Sequence, residues 1–177
     1  MASTEKIVEF ENITKQKMKV FEKINLDDDD KIHISKIWNN EYPISLNFSD
    51  SFGFEKYLTG LSNPNHFILR DQNNELLAWA CKFERDNEKW FAIILDEKIH
   101  GKGKGTEILN LIKKNENELN AWVIDKENSY KINGEIYKSP LSFYSKNGFL
   151  VYPDVRMENE KVSAVKIVWK NIERASH

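Results

Sequence analysis

The chain has 177 residues, 26 of them Lys or Arg and 28 Asp or Glu, giving a formal net charge of -2. Near-neutrality removes the electrostatic footprint of a nucleic-acid binder, and no apolar run approaches the roughly eighteen residues that a membrane span needs. Cys81 is the only cysteine, which excludes an internal disulfide and a multi-cysteine zinc site. Five Trp, six Tyr and ten Phe supply large side chains for a core, so wholesale disorder is not expected. No repeat, linker or composition break divides the chain, and one domain over 1–177 is the expectation. The opening residues lack the apolar stretch of a secretory leader, so the expected location is cytoplasmic.

Residues 6–24 read either as one strand and a helix or as two strands. The acidic run Asp27-Asp28-Asp29-Asp30 marks a helix start, because carboxylates favour the positive end of the helix dipole and Asp27 or Asp28 can cap it. That helix continues through Ile32, Ile37 and Trp38. A second helix is expected over 51–61, stopped by Asn63-Pro64. Residues 66–70, 76–83 and 89–96 are β-rich, and the polar turns 71–74 and 85–88 between them predict an antiparallel meander. In its third member Phe91-Ala92-Ile93-Ile94-Leu95 is apolar at every position, so both faces of the sheet need covering. From Gly105 onward Ile108, Leu109, Leu111 and Ile112 follow helical spacing, and 119–124 reads as another buried strand. Strand, helix, strand implies a right-handed crossover and one parallel pair. A short helix over 140–146, a stop at Asn147-Gly148 and a hairpin of 149–157 with 162–169 complete the chain. The expected class is α/β (α+β): a mixed, mostly antiparallel sheet with helices on both faces.

One segment carries chemistry. In His100-Gly101-Lys102-Gly103-Lys104-Gly105-Thr106 alternate glycines join a buried strand to a helix. Backbone N–H groups can converge there without Cβ interference, at the positive end of the following helix. Lys102 and Lys104 add positive charge. The predicted ligand is a phosphate group, a cofactor's pyrophosphate above all. The spacing fits neither G-x-G-x-x-G nor the P-loop, since Thr106 follows Gly105 rather than a Gly-Lys pair. A plain surface turn is the competing reading.

This turn, the order of elements and the later Phe143-Tyr144-Ser145-Lys146-Asn147-Gly148-Phe149 together resemble the GCN5-related N-acetyltransferase (GNAT) family. That family places a Gln/Arg-x-x-Gly-x-Gly/Ala run after its fourth strand and a Tyr-x-x-x-Gly-Phe element downstream; Tyr144, Gly148 and Phe149 match the second. The resemblance covers about the last two thirds of the chain. It departs at His100, which replaces Gln or Arg, and at Tyr137 and Pro140, which replace the family's Asn and Ala. Residues 127–137 read as an insertion with a hairpin signature at Asn133-Gly134, either bordering the acceptor site or ornamenting the surface.

The resemblance implies acetyl-CoA as cosubstrate, no metal, and acetyl transfer to a primary amine, small-molecule or peptide, by direct attack in a ternary complex. It implies acceptor-side helices over about 27–62 and an acyl-CoA-binding core over about 66–170. Coenzyme contacts fall on Ile93, Ile94, Leu95, His100, Gly101, Lys102, Gly103, Lys104, Gly105 and Thr106, with an oxyanion donor at or beside Leu95. Tyr144 is the implied acid, since a phenol is protonated at neutral pH and can donate to a departing thiolate. Its competing role is packing beside Phe143 and Phe149. Asp96, Glu97 and Glu84 lie near strand ends as possible bases, none of them singled out. His33 and His66 lack ligand spacing, and Cys81 in an apolar strand reads as inert core. No nucleic acid or membrane partner is expected, and the chain would act as a monomer or homodimer. The alternative is a coenzyme-A-binding sensor without catalysis.

Overall fold

The computed structural model describes residues 6–10 and 17–173. Its strands are β1 (Lys6–Phe10), β2 (Met18–Lys23), β3 (Ser62–Arg70), β4 (Leu76–Arg85), β5 (Glu88–Leu95), β6 (Glu118–Ile124), β7 (Leu150–Glu158) and β8 (Ser163–Lys170). Its helices are α1 (Asp28–Glu41), α2 (Ser51–Thr59), α3 (Lys104–Lys113) and α4 (Leu141–Lys146). The strands form one sheet in the order β1-β2-β3-β4-β5-β6-β8-β7. Among the described strands only β5 and β6 run parallel. The expected mixed, mostly antiparallel architecture is the one observed, and residues 6–24 resolve to two strands within their described part.

The acidic run begins α1 as its charge demands. Asp27 accepts the N–H of Asp30 at 2.8 Å while the Asp30 carboxylate accepts the N–H of Asp27, a reciprocal capping box. Asp30 is wholly buried and is held by Arg70 and Lys23, each at 2.8 Å. The carboxylate at the helix start thus ties α1 to β2 and β3.

Two expectations need correction. The second helix ends at Thr59, and Asn63-Pro64 does not follow it as a loop but lies inside β3. The ladder between β3 and β4 shifts register from Ser62 to Asn65, and Asn63 takes φ +47°. A bulge there tolerates Pro64, which has no N–H to give to a ladder.

The alternating residues of β5 explain its unbroken apolar run. Trp90 and Ile94 pack with Ile34, Trp38 and Phe54 on the α1–α2 face, whereas Phe91 packs with Ile108, Leu109 and Tyr144 on the α3–α4 face. Each such side chain contributes about 1.5–3 kcal/mol when fully buried.

The centre of the sheet is interrupted. β4 pairs with β5 from Arg85↔Glu88 to Ala78↔Leu95, and β6 pairs with β8 from Glu118↔Lys170 to Ile124↔Ala164. Between β5 and β6 the register holds at Trp90↔Asn120 alone. The Asn120 amide donates to the carbonyl of Lys89 at 3.1 Å at this apex. Beyond it the two strands part, leaving two facing backbone edges without a ladder partner.

Candidate active site

The split opens into a cleft of about 1050 Å³. Its floor is Phe91 to Leu95 of β5 and Ala121 to Ile124 of β6, and it reaches both faces of the sheet. One end meets the glycine turn after β5, the other Arg85, Trp90 and Trp122 by the apex.

The turn is built by conformation. The Asp96 carboxylate accepts the N–H of Lys98 at 2.9 Å and starts a 3-10 turn (Glu97–Ile99) that buries Ile99. Gly101 and Gly103 then take φ +70° and +75°, the left-handed region that costs other residues about 1–2 kcal/mol, and α3 begins at Lys104. The N–H groups of Gly101, Lys102, Gly103, Gly105 and Thr106 have no hydrogen-bond partner among the described residues. All but Lys102 border the cleft, at the positive end of a ten-residue helix. Gly105 has a different reason to be glycine: a Cβ there would lie 2.9 Å from the Phe143 ring.

Of the ten residues expected to hold the coenzyme, nine line the cleft; Lys102 is exposed and lies outside it. Lys104 does not offer a bare charge. Its side chain is buried and its Nζ lies 2.9 Å from Glu107 one turn along α3. The His100 ring folds back, its Nε2 2.9 Å from the carbonyl oxygen of Leu95. The turn's attraction for an anion is therefore carried by main-chain donors more than by lysines.

Tyr144 lies in the cleft wall and packs as an aromatic side chain. Its ring packs against Phe143, Phe149 and Phe91 with centroids 5.1, 5.5 and 6.0 Å away, and it lines the cleft. Its hydroxyl makes no hydrogen bond among the described residues. Burial pushes the phenol well above 10, helped by the neighbouring phenols of Tyr42 and Tyr137. Burial also raises Tyr42 to about 12 and lifts Tyr137 further. With Tyr57, which burial also raises, four protonated phenols thus line the cleft. Tyr137, which stands where the family pattern has Asn, is one of them.

The segment read as an insertion borders the cleft. A Tyr130↔Ile136 bridge closes it around Gly134 at φ +84°, and Lys131, Glu135, Ile136 and Tyr137 line the cleft. Lys131 is buried with its Nζ 3.3 Å from Glu41, and the carbonyl of Tyr130 accepts the N–H of Ile44 at 2.9 Å. Glu41 also accepts the N–H of Glu97 at 3.1 Å. This carboxylate joins the end of α1, the insertion and the turn after β5. Sequence reasoning missed it; the signal available was Trp38, Glu41 and Tyr42 at helical spacing, one face of the last turn of α1.

On the α1–α2 face the walls are aromatic. The Trp38 ring lies 4.6 Å from Tyr42, 5.0 Å from Phe48 and 4.9 Å from Tyr57, and all four line the cleft. Trp90 meets Trp122 at 5.4 Å across the apex.

Other candidates fall away from the chemistry. Glu84 is held by Lys89 and Asn63, Asp96 caps its turn, and neither lines the cleft, whereas Glu97 does. His66 accepts the indole N–H of Trp79 inside the core, and burial lowers it to about 4. Cys81 is buried and pushed up to about 12, inert as expected. His33 bonds the carbonyl of Asp29 on the surface of α1. Among the described residues no group of three or more His, Cys, Asp and Glu could hold a metal, and no helix is long and apolar enough to cross a membrane.

No protein-family profile matches the chain, and no curated protein matches it significantly in sequence. Solved structures do match in shape. A crystal structure provisionally assigned as a phosphinothricin N-acetyltransferase superposes with TM-score 0.63 at 15% identity, over 85% of this chain and 98% of that one. Spermidine/spermine N-acetyltransferase SpeG from Vibrio cholerae gives 0.59 at 14%, over 90% and 95%. A structure provisionally assigned as an acetyltransferase of Acinetobacter baylyi ADP1 gives 0.62 at 11%, over 97% and 95%. With the split sheet and its glycine turn, these likenesses establish that the chain has the fold of the GCN5-related N-acetyltransferases.

Proposed function

We propose that this chain is an acyl-CoA-dependent N-acetyltransferase that moves an acetyl group from acetyl-CoA to a primary amine by direct attack in a ternary complex. The observation that carries this reading is the row of unpartnered N–H groups at the head of α3, opening onto the unpaired edge of β5. The donor set fits a diphosphate, because it combines main-chain N–H groups, a helix dipole and open space where Gly101 and Gly103 lack a Cβ. The edge from Ile93 to Leu95 fits an extended amide-bearing arm, which would add as a short strand.

Acetyl-CoA, when bound, supplies the acyl group as a thioester. The chain's own residues then have three tasks. A backbone N–H at or beside Leu95 donates to the carbonyl oxygen as it gains charge. The apolar floor of β5 and β6 keeps water from the reacting carbon. Tyr144 donates to the departing sulfur, and burial keeps its phenol protonated well beyond neutral pH. Its packing against Phe91 and Phe149 fixes the direction of that donor.

Tyr144→Phe removes the hydroxyl and keeps the packing. Thiol release in the presence of amine should fall about a hundredfold while coenzyme binding stays within a factor of about two. Unchanged turnover would remove Tyr144 from the reaction. A non-catalytic coenzyme-binding sensor is the second reading, favoured by one observation: Glu41 and Glu84, carboxylates near the site, are engaged by Lys131 and Lys89. Thiol release with a panel of amines separates the two readings.

A further inference from the structure

The acceptor end of the cleft holds polar groups without a polar partner among the described residues. Trp90 is buried and lines the cleft, and its indole Nε1–H has no acceptor among the described residues. Asn47 also lines the cleft, and its Oδ1 is buried with no donor among the described residues. Arg85, on the last position of β4, also lines the cleft; its guanidinium lies over the rings of Trp90 and Phe83 at 5.1 and 5.2 Å. No carboxylate among the described residues pairs with it.

These groups decide the charge of what binds there. The Trp90 ring already carries two cations, since Lys166 Nζ also lies 5.2 Å from its centroid. A second ammonium arriving at this wall would find the attraction of the ring used and a guanidinium in the way. An anion would find a free guanidinium and an unpaired N–H on adjacent groups, both of them donors only. Between this point and the part of β5 that would carry the reacting end, the walls are aromatic. From Trp90 to Leu95 is five residues, about 17 Å of strand, and the acyl carbon, the attacking nitrogen and the hydrogen bonds to the anion take part of that span, leaving about 10 Å for the body between them.

The geometry points to an acceptor that is an amine joined by a flat apolar body, on the order of 10 Å long, to a carboxylate or similar anion held by Arg85 and Trp90. This rests on the acetyl-transfer reading above and narrows it to a substrate class. The step balances without a further reactant: the thioester C–S bond breaks, a C–N bond forms to the neutral amine, and the amine's proton ends on the coenzyme thiol.

The test compares 4-(2-aminoethyl)benzoate, its neutral carboxamide and spermidine, with thiol release as readout and calorimetric uptake of coenzyme A measured alongside. The wild type should use the benzoate with kcat/KM about tenfold or more above the carboxamide and above spermidine. Arg85→Gln should erase that advantage by raising KM for the benzoate alone, Arg85→Lys should keep part of it, and coenzyme uptake should not change in either. Equal use of benzoate and carboxamide, faster use of spermidine, or a preference that survives Arg85→Gln would overturn the anion assignment and leave acetyl transfer standing. Coenzyme uptake without thiol release from any of the three amines would overturn the substrate class. Absence of coenzyme uptake would overturn the parent reading itself.

Discussion

The two ends of the cleft are built from different materials. At the glycine turn the groups facing the cleft are main-chain N–H donors, set by two left-handed glycines and the first turn of one helix, all within residues 100–106. At the other end they are side chains brought from Trp38, Asn47, Tyr57, Arg85 and Trp90, which lie on α1, the loop after it, α2, β4 and β5. A backbone site of this kind suits a feature common to many ligands, such as the diphosphate proposed here, and tolerates side-chain change. A side-chain site is specific and can diverge freely on a constant fold. The neighbours of similar shape, at 11–15% identity, are consistent with a fold that outlasts its sequence.

The sharpest way to break this contrast is to alter two glycines of the same turn. Gly103→Val forces a β-branched residue into φ +75° at the point where the donors converge. Coenzyme affinity should fall about a hundredfold, with a stability loss of about 1–2 kcal/mol. Gly105→Val keeps ordinary backbone angles but drives a methyl toward Phe143 at 2.9 Å. It should cost about 1–3 kcal/mol of stability by overpacking. Calorimetry and thermal melts on both variants check the split; equal effects on binding and stability would erase it.

A smaller effect concerns pH. His66 is neutral in the fold, lowered to about 4 by burial, whereas an unfolded histidine titrates near 6.5. As pH falls below 6.5 the unfolded chain takes up the proton first, so stability should decline progressively down to about pH 4, by about 3 kcal/mol in total. His66→Gln should flatten that part of the denaturation profile. Tyr144 sets no such limb on activity at neutral pH, because its raised pKa keeps it protonated; loss of rate on acidification should instead track protonation of the acceptor amine.

The same division explains what could be read from the sequence. The meander, the parallel crossover and the two-sided burial of β5 follow from local periodicity and turn residues, and the observed strands agree with them. The glycine turn was legible because its chemistry lies in consecutive residues. Tyr144 stands out through a motif pairing it with Gly148 and Phe149, and the structure puts it in the cleft wall. Glu41, Tyr42 and Lys131 were not legible, because their meeting depends on how the end of α1 packs against an insertion about 90 residues later. Lys104 misled for a related reason: its charge is visible in the chain, but the Glu107 that occupies it is apparent only once α3 has formed. Asn63-Pro64 reads as a break in the sequence because a bulge uses the same residues as a loop.

Titration of acetyl-CoA into the wild type and Gly103→Val, followed by calorimetry, tests the central claim most directly. The account predicts one site per chain in the wild type and a loss of affinity of about a hundredfold in the variant, with both proteins folded. Heat of binding that is absent in the wild type, or unchanged in the variant, would contradict it.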